Sequence, residues 1–200
     1  MKTTARLRSA LAVTALACAF FTSSASAQLV NGGFESGNFS GWTQVEPFSP
    51  PLSNVGSNPA FAYAGTTYHA NLTADPGFTG TLSQTFNTDA NSLYNVTFAL
   101  ANDVGTGINS FEMLWNNTVV FSVSNAAVFN YTLFSVNNLT ATGSDTIQFR
   151  VRHDEDFFRL DEVTIGVVPE PSTISFAVVG LGLFGAISYR RVKLRRSSAR

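Results

Sequence analysis

In the middle of the chain, apolar and polar residues alternate in short runs separated by turn-forming residues. In Phe111-Glu-Met-Leu-Trp115 the odd positions share one face. In Thr146-Ile-Gln-Phe-Arg-Val-Arg152, Ile147, Phe149 and Val151 face inward, and Arg150 and Arg152 face outward. This pattern predicts strands over 60–64, 79–86, 94–102, 108–115, 119–123, 131–136, 146–152 and 158–165. Asn116-Asn117 has the chemistry of a tight hairpin turn between two of them. Residues 45–60 read as one long loop, because Pro47, Pro50 and Pro51 forbid a regular central strand. No stretch carries a helical period. Several short strands spaced in this way predict an all-β fold, a jelly-roll β-sandwich over residues 28–166. Eighteen phenylalanines in the chain can supply its core.

Both ends break the pattern. Lys2, Arg6 and Arg8 precede an apolar run, Leu11 to Phe21, and then the small residues Ala25-Ser26-Ala27. That layout predicts a secretory signal peptide over 1–27, removed by signal peptidase before Gln28. The single cysteine, Cys18, lies inside it, and Ala15 stands where a lipidation motif needs Leu. The mature chain therefore has no disulfide, no thiol nucleophile and no cysteine metal site. At the other end, Pro169-Glu170-Pro171 is followed by an apolar run to Tyr189, then Arg190, Arg191 and further basic residues. This predicts a transmembrane helix over about 173–189, with residues 190–200 as a cytoplasmic tail.

Charge changes the picture once these ends are set aside. Of the twelve Lys and Arg residues, three are in the leader and six lie beyond residue 189. Between residues 28 and 168 there are three arginines, no lysine and twelve acids, a net charge of −9. Phosphate backbones would repel such a domain, which excludes nucleic acid as a partner. Calcium and neutral sugars remain compatible with it.

Two stretches resemble known families. Val168-Pro-Glu-Pro-Ser172, the glycine-rich apolar run and Arg190-Arg191 resemble the PEP-CTERM sorting signal of Gram-negative bacteria over residues 167–196. The resemblance implies transient anchoring in the inner membrane and recognition of Pro169, Glu170, Pro171, Arg190 and Arg191 by an exosortase. Release or attachment at the cell surface would follow, in a biofilm or exopolysaccharide setting. An ordinary single-pass anchor is the alternative. Asn31-Gly-Gly-Phe-Glu-Ser-Gly-Asn-Phe-Ser-Gly-Trp-Thr43 resembles the opening of galactose-binding-like jelly rolls, which include several carbohydrate-binding modules. Phe157-Phe-Arg-Leu-Asp-Glu-Val-Thr-Ile165 resembles their closing strand, and Leu82–Phe86 with Tyr94–Phe98 a middle hairpin. The resemblance implies that the first and last strands are neighbours, so that Glu35 approaches Asp161 and the two hold a structural calcium. The alternative leaves both as surface acids or as acceptors for nearby backbone.

Candidate chemistry is sparse. Aromatic rings bind sugars by stacking, and Tyr63 and Tyr68 flank the turn Ala64-Gly65-Thr66-Thr67, while Trp115 ends a strand beside a turn. These three are the expected ligand-binding residues, with the core as the commoner fate for Trp115 and for Trp42. His153-Asp154-Glu155-Asp156 is the densest titratable cluster, but consecutive residues on an extended segment point to opposite faces. It reads as a solvated turn. No Gly-x-Ser-x-Gly, His-Glu-x-x-His or phosphate loop occurs. The expectation is an exported, non-catalytic surface or matrix protein associated with a glycan or exopolysaccharide. A displayed β-domain without a sugar ligand, or a glycoside hydrolase, are the alternatives.

Overall fold

The computed structural model describes residues 28–169, which cover the predicted domain; the leader and the apolar anchor lie outside them. Nine antiparallel strands form one continuous sheet that folds over on itself. They are β1 (Thr43–Val45), β2 (Asn54–Gly56), β3 (His69–Ala74), β4 (Gly80–Asn87), β5 (Leu93–Asn102), β6 (Asn109–Trp115), β7 (Thr118–Ser124), β8 (Phe129–Thr140) and β9 (Ser144–Val167). The long β9 belongs to both layers. Its first half lies between β4 and β6, and its second half lies between β3 and β5. One layer therefore runs β1-β4-β9-β6-β7 and the other β2-β3-β9-β5-β8.

The side-chain parity of β9 shows how one strand serves two layers. Asp145, Ile147, Phe149, Val151 and His153 are buried, then Phe158 and Leu160. The switch from odd to even falls at the bend between them, where His153 is the pivot. Its Nε2 pairs with Asn102 Oδ1 at 2.9 Å, its Nδ1 accepts from the Asp156 amide at 3.0 Å, and Arg152 grips Asp154 in a two-pronged ion pair. The predicted solvated turn at 153–156 is thus the bend of a continuous strand, and the two strands expected over 146–152 and 158–165 are one. A second switch occurs at Glu162, whose φ of +48° marks a bulge opposite Phe98, so Leu160, Asp161 and Val163 are all buried.

Phenylalanines fill the space between the layers. Phe149 lies 5.5 Å from Phe111, 5.7 Å from Phe98 and 6.0 Å from Trp42, centroid to centroid. Each such pair adds about 0.5–1.5 kcal/mol beyond burial. The Trp42 indole N–H donates to the Asn31 carbonyl at 3.1 Å, which ties the opening segment to this core. Asn116 and Asn117 take positive φ, as the expected β6–β7 hairpin requires. One expected strand is absent: residues 60–64 hold part of a 3-10 turn, Pro59–Phe61, capped by the Asn58 side chain, and the loop that follows it. The strand lies just beyond, as β3.

Candidate functional site

The loop between β2 and β3 carries Phe61, Tyr63 and Tyr68, and acids from the two ends of the domain hold it. Ala64 and Gly65, both at positive φ, reverse the chain, and Thr66 closes the turn onto the Tyr63 carbonyl. Asp161 Oδ2 accepts from the Tyr63 amide at 2.9 Å and from the Thr66 hydroxyl at 3.1 Å. Glu35 Oε1 accepts from the amides of Thr67 and Tyr68 at 3.1 and 3.0 Å. The opening and closing segments that bring in these acids are neighbours: the Val163 amide donates to the Gly32 carbonyl at 3.0 Å. A side chain at Gly32 would put its Cβ 2.1 Å from the Val163 carbonyl oxygen, so this approach needs glycine.

Asp161 is fully buried. Burial pushes its carboxyl up to about 6, against hydrogen bonds from Tyr63, Glu162 and Thr66. Among the described residues no arginine offsets that cost, because Arg150, Arg152 and Arg159 pair with Glu112, Asp154 and Asp103. Among the described residues no three His, Cys, Asp or Glu side chains gather as a metal-ligand set. Any cation here would lean on Glu35, Asp161 and backbone oxygens.

The Tyr63 ring meets Tyr131 of β8 edge to face at 5.6 Å, and both are half-buried. The Tyr131 hydroxyl is enclosed without a hydrogen-bond partner, and its pKa is raised by burial and by Asp161. The Arg159 guanidinium lies 4.2 Å over the Phe61 ring. Two expected ring residues, Tyr63 and Tyr68, therefore share one anchored loop. Trp115 does not join them. It is buried against Phe86 on the other layer, and its indole N–H donates to the Thr140 carbonyl at 3.0 Å, so its ring offers no face to a ligand. Tyr131 and Arg159 were not visible as partners, since β8 and β9 meet the loop only through the fold.

Of the sorting residues, Pro169 is the last one described. The Val168 amide just before it still donates to the Leu93 carbonyl at 2.7 Å. Glu170, Pro171, Arg190, Arg191, the helix expected over 173–189 and the signal peptide expected over 1–27 lie outside the described residues. No helix among the described residues is long and apolar enough to cross a membrane.

The fold is the β-sandwich of carbohydrate-binding modules. It superposes on TmCBM61, solved with β-1,4-galactotriose, at a TM-score of 0.56 and 24% identity, covering 70% of this chain and 97% of that one. The CBM22-1 xylan-binding domain from Paenibacillus barcinonensis gives 0.51 at 14% identity, over 70% and 93%. The enzymatically active domain of bacteriophage CBA120 tailspike protein 4 gives 0.54 at 16% identity, over 71% of this chain and 21% of that one. No curated protein matches the chain. Residues 167–192 match the PEP-CTERM protein-sorting motif. The chain thus joins a carbohydrate-binding-module-like sandwich to a signal that marks an exported, exosortase-sorted protein.

Proposed function

We propose that the mature protein is a non-catalytic, glycan-associated surface or extracellular-matrix protein, delivered by exosortase processing at Pro169–Pro171. The observation that carries this reading is the anchored aromatic loop: Tyr63 and Tyr68, with Phe61 beside them, sit on a backbone clamped by Asp161 and Glu35. A loop held in one conformation gives up little entropy on binding, and half-exposed rings suit the apolar face of a pyranose. The excess of acids favours a neutral polymer over an anionic one. Retention on the producing organism's own exopolysaccharide tests the reading. Tyr63→Ala and Tyr68→Ala are expected to lose it; unchanged retention in both would overturn the site.

We also propose calcium as a structural ion at the same clamp. Glu35 and Asp161 supply hard oxygen donors, and neither has a basic partner among the described residues. The ion would neutralise the buried carboxylate and tighten the loop. A rise in melting temperature on adding calcium to chelated protein tests this without any binding assay.

A further inference from the structure

The charged side chains of the domain are unevenly placed. Residues 113–144 carry none, and no proline either, although the domain's net charge is −9. This stretch supplies β7 and β8, and each is the last strand of its layer. Among the described residues β7 pairs only with β6, and β8 only with β5. The two edges lie side by side, since the Phe121 ring of β7 sits 4.8 Å from the Phe134 ring of β8. The opposite edges are built differently. β1 and β2 have three residues each, and the segment joining them holds Glu46, Pro47, Pro50 and Pro51. Short strands, prolines and charges keep a free sheet edge from recruiting another strand. One side of this sandwich has all three devices. The other has two long neutral strands, of seven and twelve residues. Between irregularities at its two ends, Thr132–Val136 of β8 keeps unbroken register with β5, so alternate residues aim N–H and C=O groups outward in line. Leu133, next to the middle of that run, is 56% exposed.

We propose that β8 is a self-association edge: two copies of the chain pair their β8 strands antiparallel about a two-fold axis near Phe134 and extend the β2-β3-β9-β5-β8 layer across it. The charge distribution selects a second copy as the occupant. Two domains of net charge −9 repel one another over most of their surfaces, and on the β7–β8 side they meet with no charged strand residue opposed to its like. An antiparallel pair centred on Phe134 sets Leu133 of one copy beside Ser135 of the other, so the two-fold axis covers the exposed leucine of both copies at once. Twelve residues extend about 40 Å, and two layers about 10 Å apart make the strip roughly 15 Å wide with its side chains, hence about 600 Å² per partner, the lower end for a specific interface. The axis stands normal to the layer, so both Tyr63–Tyr68 loops end on one face, where a single polymer can reach both.

Sedimentation equilibrium of the full chain, in a detergent matched to the solvent density, tests the edge. The wild type is expected to dimerise, and more tightly as salt rises from about 50 to about 500 mM, because screening weakens the repulsion between acidic domains. Leu133→Lys and Ser135→Lys put like charges on both sides of the axis, and each is expected to weaken the dimer about tenfold. Their melting temperatures should match the wild type, since both positions are exposed. Val45→Lys, on the exposed β1 edge at the far side, should leave the dimer intact. A wild type that stays monomeric up to about 100 μM overturns the proposal. So does a dimer that Leu133→Lys and Ser135→Lys leave untouched, which places the contact elsewhere in the chain, or one that only Val119→Lys dissolves, which moves it to β7. Failure of the dimer leaves the glycan reading standing, because a single Tyr63–Tyr68 loop needs no partner copy.

Discussion

Replacing Asp161 with Ala removes the carboxylate through which the closing strand hydrogen-bonds to the aromatic loop. Three hydrogen bonds go with it, from the Tyr63 amide, the Thr66 hydroxyl and the Glu162 amide. At about 1 kcal/mol net each, their loss outweighs the relief of no longer burying an unpaired carboxylate, leaving about 2 kcal/mol of destabilisation. For a domain of this size that lowers the melting temperature by roughly 6 °C. The change is local, so the loop should open about thirtyfold more often, and chymotrypsin should cut after Phe61 or Tyr63 correspondingly faster. Asp161→Asn keeps one acceptor oxygen and should show about half the effect. The control is Asp145→Ala at the other end of β9, where the carboxylate accepts from Thr88, Asn116 and Thr142. It should destabilise the domain without sensitising the loop. All measurements belong in chelator, so that no metal contributes. Equal cleavage of the Asp161→Ala and Asp145→Ala proteins at matched stability would refute the clamp.

Calcium added to chelated wild type is expected to raise the melting temperature by several degrees, and Glu35→Ala or Asp161→Asn to remove that rise; a flat response in the wild type counts against the ion. Burial holds the His153 ring below its ordinary pKa, and His69 likewise. Both are favoured neutral in the fold, so the unfolded chain takes up protons first, and their contribution to stability falls as pH drops below about 6.5. Urea midpoints between pH 8 and pH 5 should therefore fall further for wild type than for His153→Gln; parallel curves would contradict this. Trp115→Ala should cost about 3–5 kcal/mol in urea unfolding as a core deletion, with glycan retention unchanged well below its melting temperature. Lost retention at unchanged stability would return Trp115 to the binding site.

The strands that could be read in advance are those whose burial alternates locally. β4 and β6 each show it within seven or eight residues, and Asn116-Asn117 carries the turn chemistry between β6 and β7. The opening motif was legible because Gly32 serves a close approach that few residues permit. Where the fold decided, the pattern misled. Phe61 and Tyr63 alternate as strand residues do, but their loop is fixed by an acid 98 positions beyond Tyr63. His69–Ala74 is not among the expected strands, and its place beside β9 comes from pairing that no local window contains. Trp115 sits at a strand end beside a turn, and only the arrival of Phe86 and Thr140 closes that end. The acids carried charge information in the sequence, but their role as clamps on aromatic loops needed the fold.

As proposed, this acidic, exported sandwich binds a neutral glycan through the Tyr63–Tyr68 loop. A glycan array probed with the mature domain tests it most directly, with Tyr63→Ala beside the wild type. The wild type is expected to bind neutral oligosaccharides and to leave sulfated and uronic-acid-rich ones unbound, and Tyr63→Ala to lose the signal. Binding that is strongest to anionic glycans, or that survives Tyr63→Ala undiminished, would contradict it.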